Sequence, residues 1–217
     1  MKRFLIFGMA LALIAILAIG ASGMERKGLF GVGVAGGVGI PTGALNKGAA
    51  GVAGTKLGWR AGGGVGYFVK ENLAVIGMGT FAQNKADSVP SGYTDDKTQL
   101  LEFGASVEHF FKMQNEKVSP FVTLGLGGLS SKAKLTPTPT AGNKSYLFLG
   151  GKIGGGAMFG LTPAASIFVE AAFHNYARGK KTENSVELKF KPVNYIAAQV
   201  GFAYMFGKSS SSGGTTQ

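Results

Sequence analysis

From residue 29 onward the chain is written in runs whose side chains alternate in character. Leu101, Phe103, Ala105 and Val107 interleave with Glu102, Gly104, Ser106 and Glu108. Ile167, Val169, Ala171 and Phe173 interleave with a set that includes Ser166, Glu170, His174 and Arg178. Leu147, Leu149, Ile153, Ala157 and Phe159 share 146–161 with Gly150, Lys152, Gly154 and Gly156. Ile196, Ala198, Val200 and Phe202 do the same against Ala197, Gln199 and Gly201. A period of two with one apolar face is the strand pattern. It predicts eight strands, over 29–40, 57–69, 73–83, 100–111, 120–132, 146–161, 165–178 and 193–206. The run 73–83 is ambiguous, because both of its faces are apolar or small.

The connections alternate in length. Those at 70–72, 113–117 and 162–164 are short, and those at 41–55, 84–98, 133–145 and 179–191 are long. Strands of this length, joined by short turns on one side and longer loops on the other, form the pattern of a barrel that crosses an outer membrane. Only helices and closed barrels satisfy every backbone group in lipid. No run of helical-span length follows residue 23. A soluble, lipocalin-like barrel would show the same period with its faces exchanged, apolar inside and polar outside. Here the second face is mostly Gly, Ala and Ser with a few charges, which makes a poor solvent face and a good narrow lumen. The predicted fold is therefore an all-β, eight-stranded antiparallel up-and-down transmembrane barrel over residues 24–206.

The first residues carry another signal. Met1-Lys2-Arg3 is basic, 4–19 is apolar or small, and Ala21-Ser22-Gly23 offers small residues for cleavage. This is the secretory signal-peptide pattern, so residues 1–23 are expected to be removed, with an alternative cut after Gly20. The other reading, an anchoring helix, is short for a membrane span. Residues 207–217, rich in Ser, Gly and Thr, read as a disordered periplasmic tail.

Composition sharpens this picture. The 217 residues are 45% apolar and 15% charged, with 37 glycines that fall inside apolar stretches rather than in a linker. Cysteine is absent, which excludes disulfides, thiolate metal sites and a cysteine nucleophile. The formal net charge of +11 is not gathered on one helix or patch, so no nucleic-acid partner is expected. Lys47, Lys56, Lys85, Lys97, Lys132, Lys134, Lys144, Arg178, Lys180, Lys181, Lys189 and Lys191 lie in or beside the long connections. Their surplus over Asp87, Asp95, Asp96, Glu183 and Glu187 makes outer-membrane lipid, and lipopolysaccharide phosphate in particular, the expected partner; a generic solvated surface is the alternative.

Eight strands enclose a space that side chains just fill. The inward positions include Arg60, Glu102, Ser106, Glu108, Thr123, Lys152, Glu170, His174, Arg178 and Gln199. Charges of both signs in a low dielectric must pair, so an internal network is expected over Arg60, Glu102, Glu108, Lys152, Glu170, His174 and Arg178, with Glu102 and Glu170 facing Arg60 or Lys152. Such a network is either a structural plug or the gate of a narrow pore. Inward glycines (Gly62, Gly64, Gly66, Gly125, Gly127, Gly154, Gly156) remove volume and keep the pore reading open. Ser166, Glu170 and His174 share a face, yet Ser166 and His174 are about 27 Å apart at ~3.4 Å per residue, too far for a triad. His109, on the apolar face, reads as a headgroup-level residue. Neither an enzyme nor a cofactor or metal site is expected. Aromatic girdles are expected at both ends, with Trp59, Phe81, Tyr146 and Tyr195 at the outer one. Tyr67, Phe110, Phe111, Phe121, Phe159, Tyr204 and Phe206 would form the periplasmic one.

Several stretches resemble a known family. Pro120-Phe121-Val122-Thr123-Leu124-Gly125-Leu126-Gly127 is similar to the fifth strand of small outer-membrane β-barrels, the OmpA/OmpX-like and opacity-like group. The hairpin of 154–162 and 166–171 resembles that family's glycine-rich strand, short turn and Glu-bearing strand. Gln199, Gly201, Tyr204 and Phe206 match its C-terminal assembly signal in residue type and spacing, although Gly207–Gln217 follow where the signal normally closes the chain. The resemblance implies a barrel inserted by the barrel-assembly machinery into the outer membrane, monomeric because closure leaves no edge. It implies a structural or surface-interaction role in the envelope, with a small passive pore as the alternative.

Overall fold

The computed structural model describes residues 26–42, 55–86, 95–113, 117–136, 145–177, 181–183, 186–188 and 192–207. The segments read as signal peptide and tail, apart from Gly207, lie outside them. Ten strands form: β1 (Phe30–Thr42), β2 (Thr55–Lys70), β3 (Leu73–Ala86), β4 (Asp95–Phe110), β5 (Val118–Thr136), β6 (Ser145–Gly160), β7 (Ala165–Ala177), β8 (Lys181–Glu183), β9 (Val186–Leu188) and β10 (Val193–Phe206). Eight of them close a barrel in the order β1-β10-β7-β6-β5-β4-β3-β2. Every neighbouring pair is antiparallel, and β1 pairs with both β2 and β10. The eight predicted strands are the eight barrel strands. Several run further than hydropathy foresaw, β4 and β5 most: Asp95–Gln99 and Ala133–Thr136 stay paired beyond the apolar stretch, because the ladder needs backbone partners and not apolar side chains. The connection read at 179–191 also holds the small β8–β9 hairpin.

Local chemistry sets the ends. Leu29 N donates to Arg26 O at 3.0 Å, and Gly28, at φ 85°, occupies the position of this turn that a side chain disfavours. Thr162 Oγ1 accepts from the backbone N–H groups of Ala164 and Ala165, which tightens the β6–β7 turn. Lys112 Nζ donates to Glu71 Oε2 at 2.9 Å between two neighbouring turns, and this bond holds the Glu71 carboxyl below its usual range. The short turns mark the periplasmic end.

The outward face is apolar over the middle of the strands. Val34, Leu57, Val65, Leu124, Leu126, Leu149, Ile153 and Val200 are all more than half exposed. A soluble protein rarely tolerates contiguous apolar surface of this extent; hydrocarbon requires it. Phe30, Tyr67, Tyr204 and Phe206 gather outside the periplasmic rim, with Phe30 4.8 Å from Tyr67 and 6.2 Å from Phe206. Trp59 and Phe81 pair at 5.5 Å near the other rim. Four aromatics assigned to the girdles from sequence belong elsewhere. Phe110, Phe121 and Tyr195 are buried inside the barrel, and Tyr146 packs against the buried cluster at the outer end. Their place near strand ends suggested a girdle, whereas the strand period points them inward.

Inward glycines allow close strand approach as well as removing volume. A Cβ on Gly154 or Gly156 would overlap backbone atoms of β7, at Ala171 O and Val169 O respectively. The outward face offers a direct test. Leu126 is 77% exposed and sits mid-strand in β5. Leu126→Arg is expected to lower the stability of the barrel in phospholipid vesicles by about 2–4 kcal/mol, read from urea unfolding. A neutral result would place this face in water.

Candidate functional site: the filled lumen

Two apolar clusters and a polar belt occupy much of the interior. At the outer end Leu100, Leu129, Phe148, Tyr176, Val193, Tyr195 and Ala197 pack together. At the periplasmic end Leu29, Phe68, Ala74, Phe110, Phe121, Met158 and Met205 do the same, with Ile76 and Phe168 beside them. Arg26 lies against this lower cluster: its guanidinium stands 5.1 Å from the Phe110 ring centroid and donates to Ser119 Oγ at 2.8 Å.

Between the clusters the charged residues divide into two groups. Glu102 is the acceptor of the upper one. It accepts from Arg60 Nη2 at 3.2 Å, from the Tyr176 hydroxyl at 2.9 Å and from the Tyr195 hydroxyl at 2.5 Å. His174 Nδ1 is 3.1 Å from Glu102 Oε1, an ion-pair distance without the alignment of a hydrogen bond. The His174 ring stacks on Tyr195 at 4.4 Å, and the Arg60 guanidinium lies 5.6 Å from the same tyrosine ring. In the lower group Glu170 accepts from Lys152 Nζ at 2.7 Å and from Gln199 Nε2 at 3.1 Å. All these groups except Gln199 are buried.

Of the residues singled out in the sequence, the structure brings Arg60, Glu102 and His174 into one group and Lys152, Glu170 and Gln199 into another. Glu108 is buried at the same cavity as Lys152 and Glu170, without a hydrogen bond or ion pair among the described residues. Arg178 lies outside the described residues. Tyr176 and Tyr195 were missed as lumen residues, although each falls on the inward parity of its strand. Of the C-terminal segment, Gln199 and Gly201 face inward, while Tyr204 and Phe206 stand on the exposed exterior. Ser166 lies opposite Ala203, near the periplasmic end, and His174 opposite Tyr195. His109 faces outward, edge-on to Phe111 at 5.0 Å.

A closed up-and-down barrel with an apolar exterior and a polar, internally bonded lumen defines a class, the outer-membrane β-barrels. The model of one family, the outer membrane protein beta-barrel domain, matches residues 9–206. The chain belongs to that family and resides in the outer membrane. No curated protein matches its sequence. Among solved structures it is similar to Neisserial surface protein A, at 17% identity over 83% of this chain and 100% of that one, with a TM-score of 0.59. It is also similar to a major outer membrane protein from Thermus thermophilus, at 14% identity over 82% and 99% of the two chains (TM-score 0.51). A third is Ail, the attachment invasion locus protein of Yersinia pestis, solved with the heparin analogue sucrose octasulfate, at 17% identity over 83% and 99% (TM-score 0.50). At these identities the likeness is one of fold.

Removing one partner of a buried pair leaves an uncompensated charge. Glu102→Leu is expected to cost about 3–5 kcal/mol in urea unfolding. The double variant Arg60→Met/Glu102→Leu should cost less than Glu102→Leu alone. Additive losses would show that the two side chains do not act as a pair.

Proposed function

We propose that this protein is a non-conducting barrel that acts through its presence in the outer membrane and through its outer surface. The observation that carries this reading is the double closure of the lumen. Leu129 and Phe148 are 0% and 1% exposed at the outer end, the Phe68–Phe110–Phe121 stack occupies the periplasmic end, and hydrogen-bonded side chains lie between. Water crossing the barrel would have to displace both clusters. A gate made by one ion pair would have only the belt to open, and here the belt is backed on both sides.

The rim supports lipopolysaccharide as the partner. Strand register sets Lys85, Lys97 and Lys134 abreast on β3, β4 and β5. Lys85 and Lys132 are exposed, and both stand on the outward parity of their strands. In this reading basic groups on this face meet outer-leaflet phosphates, where each would contribute about 1 kcal/mol. In our reading the segment ending at Tyr204 and Phe206 serves the barrel-assembly machinery during insertion. No catalytic role is part of the proposal.

Two measurements test it. In planar bilayers, the refolded wild type, Glu102→Ala and Arg60→Ala should all be electrically silent, provided that gel mobility shows folded protein. Discrete openings in the wild type would replace this reading with a pore. For the rim, Lys85→Ala, Lys97→Ala and Lys132→Ala should each weaken lipopolysaccharide binding about fivefold at low salt, and added salt should shrink the difference. Unchanged affinity in all three would remove the rim from the proposal.

A further inference from the structure

Below the polar belt the lumen is not filled. A cavity of about 120 Å³ lies there. Its lower wall is apolar, with Ile76, Met78, Phe121, Met158 and Phe168, and glycines such as Gly64 and Gly66 leave its β2 side bare. Its upper end carries Ser106, Glu108, Lys152 and Glu170.

The charges at that end do not balance. Glu102 takes Arg60, and Glu170 takes both Lys152 and Gln199. Glu108 is 6% exposed, lines the cavity, and has no hydrogen bond or ion pair among the described residues. Ser106 Oγ and Thr123 Oγ1 are buried and also without hydrogen-bond partners. Thr123 stands directly opposite Glu108 in the β4–β5 register. A carboxylate taken out of water without a partner costs several kcal/mol, so the site calls for a cation or a donor. An ordered water needs two to four polar partners; the upper end can supply them, but the apolar wall below has none, so water satisfies only that end of the cavity. A hard metal ion would want about six oxygen ligands. No group of three His, Asp or Glu residues is placed to hold a metal among the described residues.

We propose that the cavity binds a small amphiphilic amine, its ammonium group on Glu108 and its apolar body among the lower side chains. The ammonium supplies the missing positive charge and donors for Glu108 and Ser106, both of which line the cavity. The size fits: a dry apolar cavity of about 150 Å³ accepts a benzene ring, so a four-carbon chain suits this one. The ligand class is thus a short primary alkylamine. Entry is from the periplasmic end, past Arg26 and the Phe110 and Phe121 rings. This inference is independent of the rim, and it concerns binding rather than conduction.

The test uses the refolded barrel in zwitterionic micelles, titrated with n-butylamine and with butan-1-ol, its neutral counterpart. Methyl resonances of Met78 and Met158, which line the cavity, report occupancy. Butylamine should bind at least tenfold more tightly than butanol and shift both methyls. Glu108→Gln, nearly the same in shape, should abolish that preference and leave butanol binding unchanged. Gly31→Ala should weaken both ligands: an added Cβ there meets only ordinary contacts, at 3.8 Å from Met205 Cγ, so the fold survives while the cavity shrinks. Equal affinity for the two ligands, a preference retained in Glu108→Gln, or partition into the micelle with both methyls unmoved would each overturn the proposal.

Discussion

Everything in this structure follows from the pairing of β1 with β10. In hydrocarbon an unpaired backbone N–H or C=O costs several kcal/mol, and no water is present to repair it. The thirteen residues of β1 (Phe30–Thr42) therefore need a partner on each side, and they find β2 on one and β10 on the other. Closure makes the strands long, forces the turns to the two ends, and turns the sheet's two faces into an outside and an inside. The alternation of side chains then has no freedom left: one parity meets lipid and the other meets the lumen.

That inversion moves the difficulty indoors. An outer face of valine, leucine and isoleucine needs nothing but hydrocarbon, whereas the lumen receives arginine, lysine, glutamate and histidine in a narrow space. Glu102 shows how this is resolved. One carboxylate collects a guanidinium and two phenol hydroxyls from β2, β7 and β10, strands distant from its own β4. Such a hub ties together parts of the wall that share no ladder. Buried ion pairs rarely add much net stability, yet losing one member is costly, so the hub resists rearrangement more than it deepens the energy minimum. The apolar clusters above and below keep water from competing for its hydrogen bonds.

Sequence made the wall legible and the lumen only partly so. The period of two placed Arg60, Glu102, Glu108, Lys152, Glu170 and His174 inside, since parity along a strand is a local property. Which cation meets which carboxylate depends on stagger between strands that are far apart in the chain, and stagger is set by features no single strand displays. The bulges in β2 at Thr55/Gly58 and Phe68/Lys70 are examples, as is the close approach permitted by Gly154 and Gly156. Tyr195 illustrates a different failure. Its parity points inward, together with Ala197 and Gln199, but its place near a strand end suggested a membrane girdle. The local period was the better guide, because a closed wall fixes direction absolutely while depth only biases residue type. Arg26 carried no signal at all: its place against the lower cluster depends on a turn at Gly28 and on rings from β2 and β4.

The distribution of charge completes the argument. The chain carries a formal +11, yet the buried lumen residues Arg60 and Lys152 face Glu102, Glu108 and Glu170. Against these three carboxylates the described lumen sets two permanent cations, while the whole chain has a basic excess. The basic surplus must therefore be displayed outside the lumen, on the rims and connections. A barrel whose excess charge served conduction would place it along the lumen, where a passing ion would feel it. Here the lumen is capped at both ends and holds no cationic excess, and the basic surplus stands where the barrel meets its surroundings. The division of charge thus agrees with the division of packing: the interior holds the structure together, and contact with anions belongs to the surface.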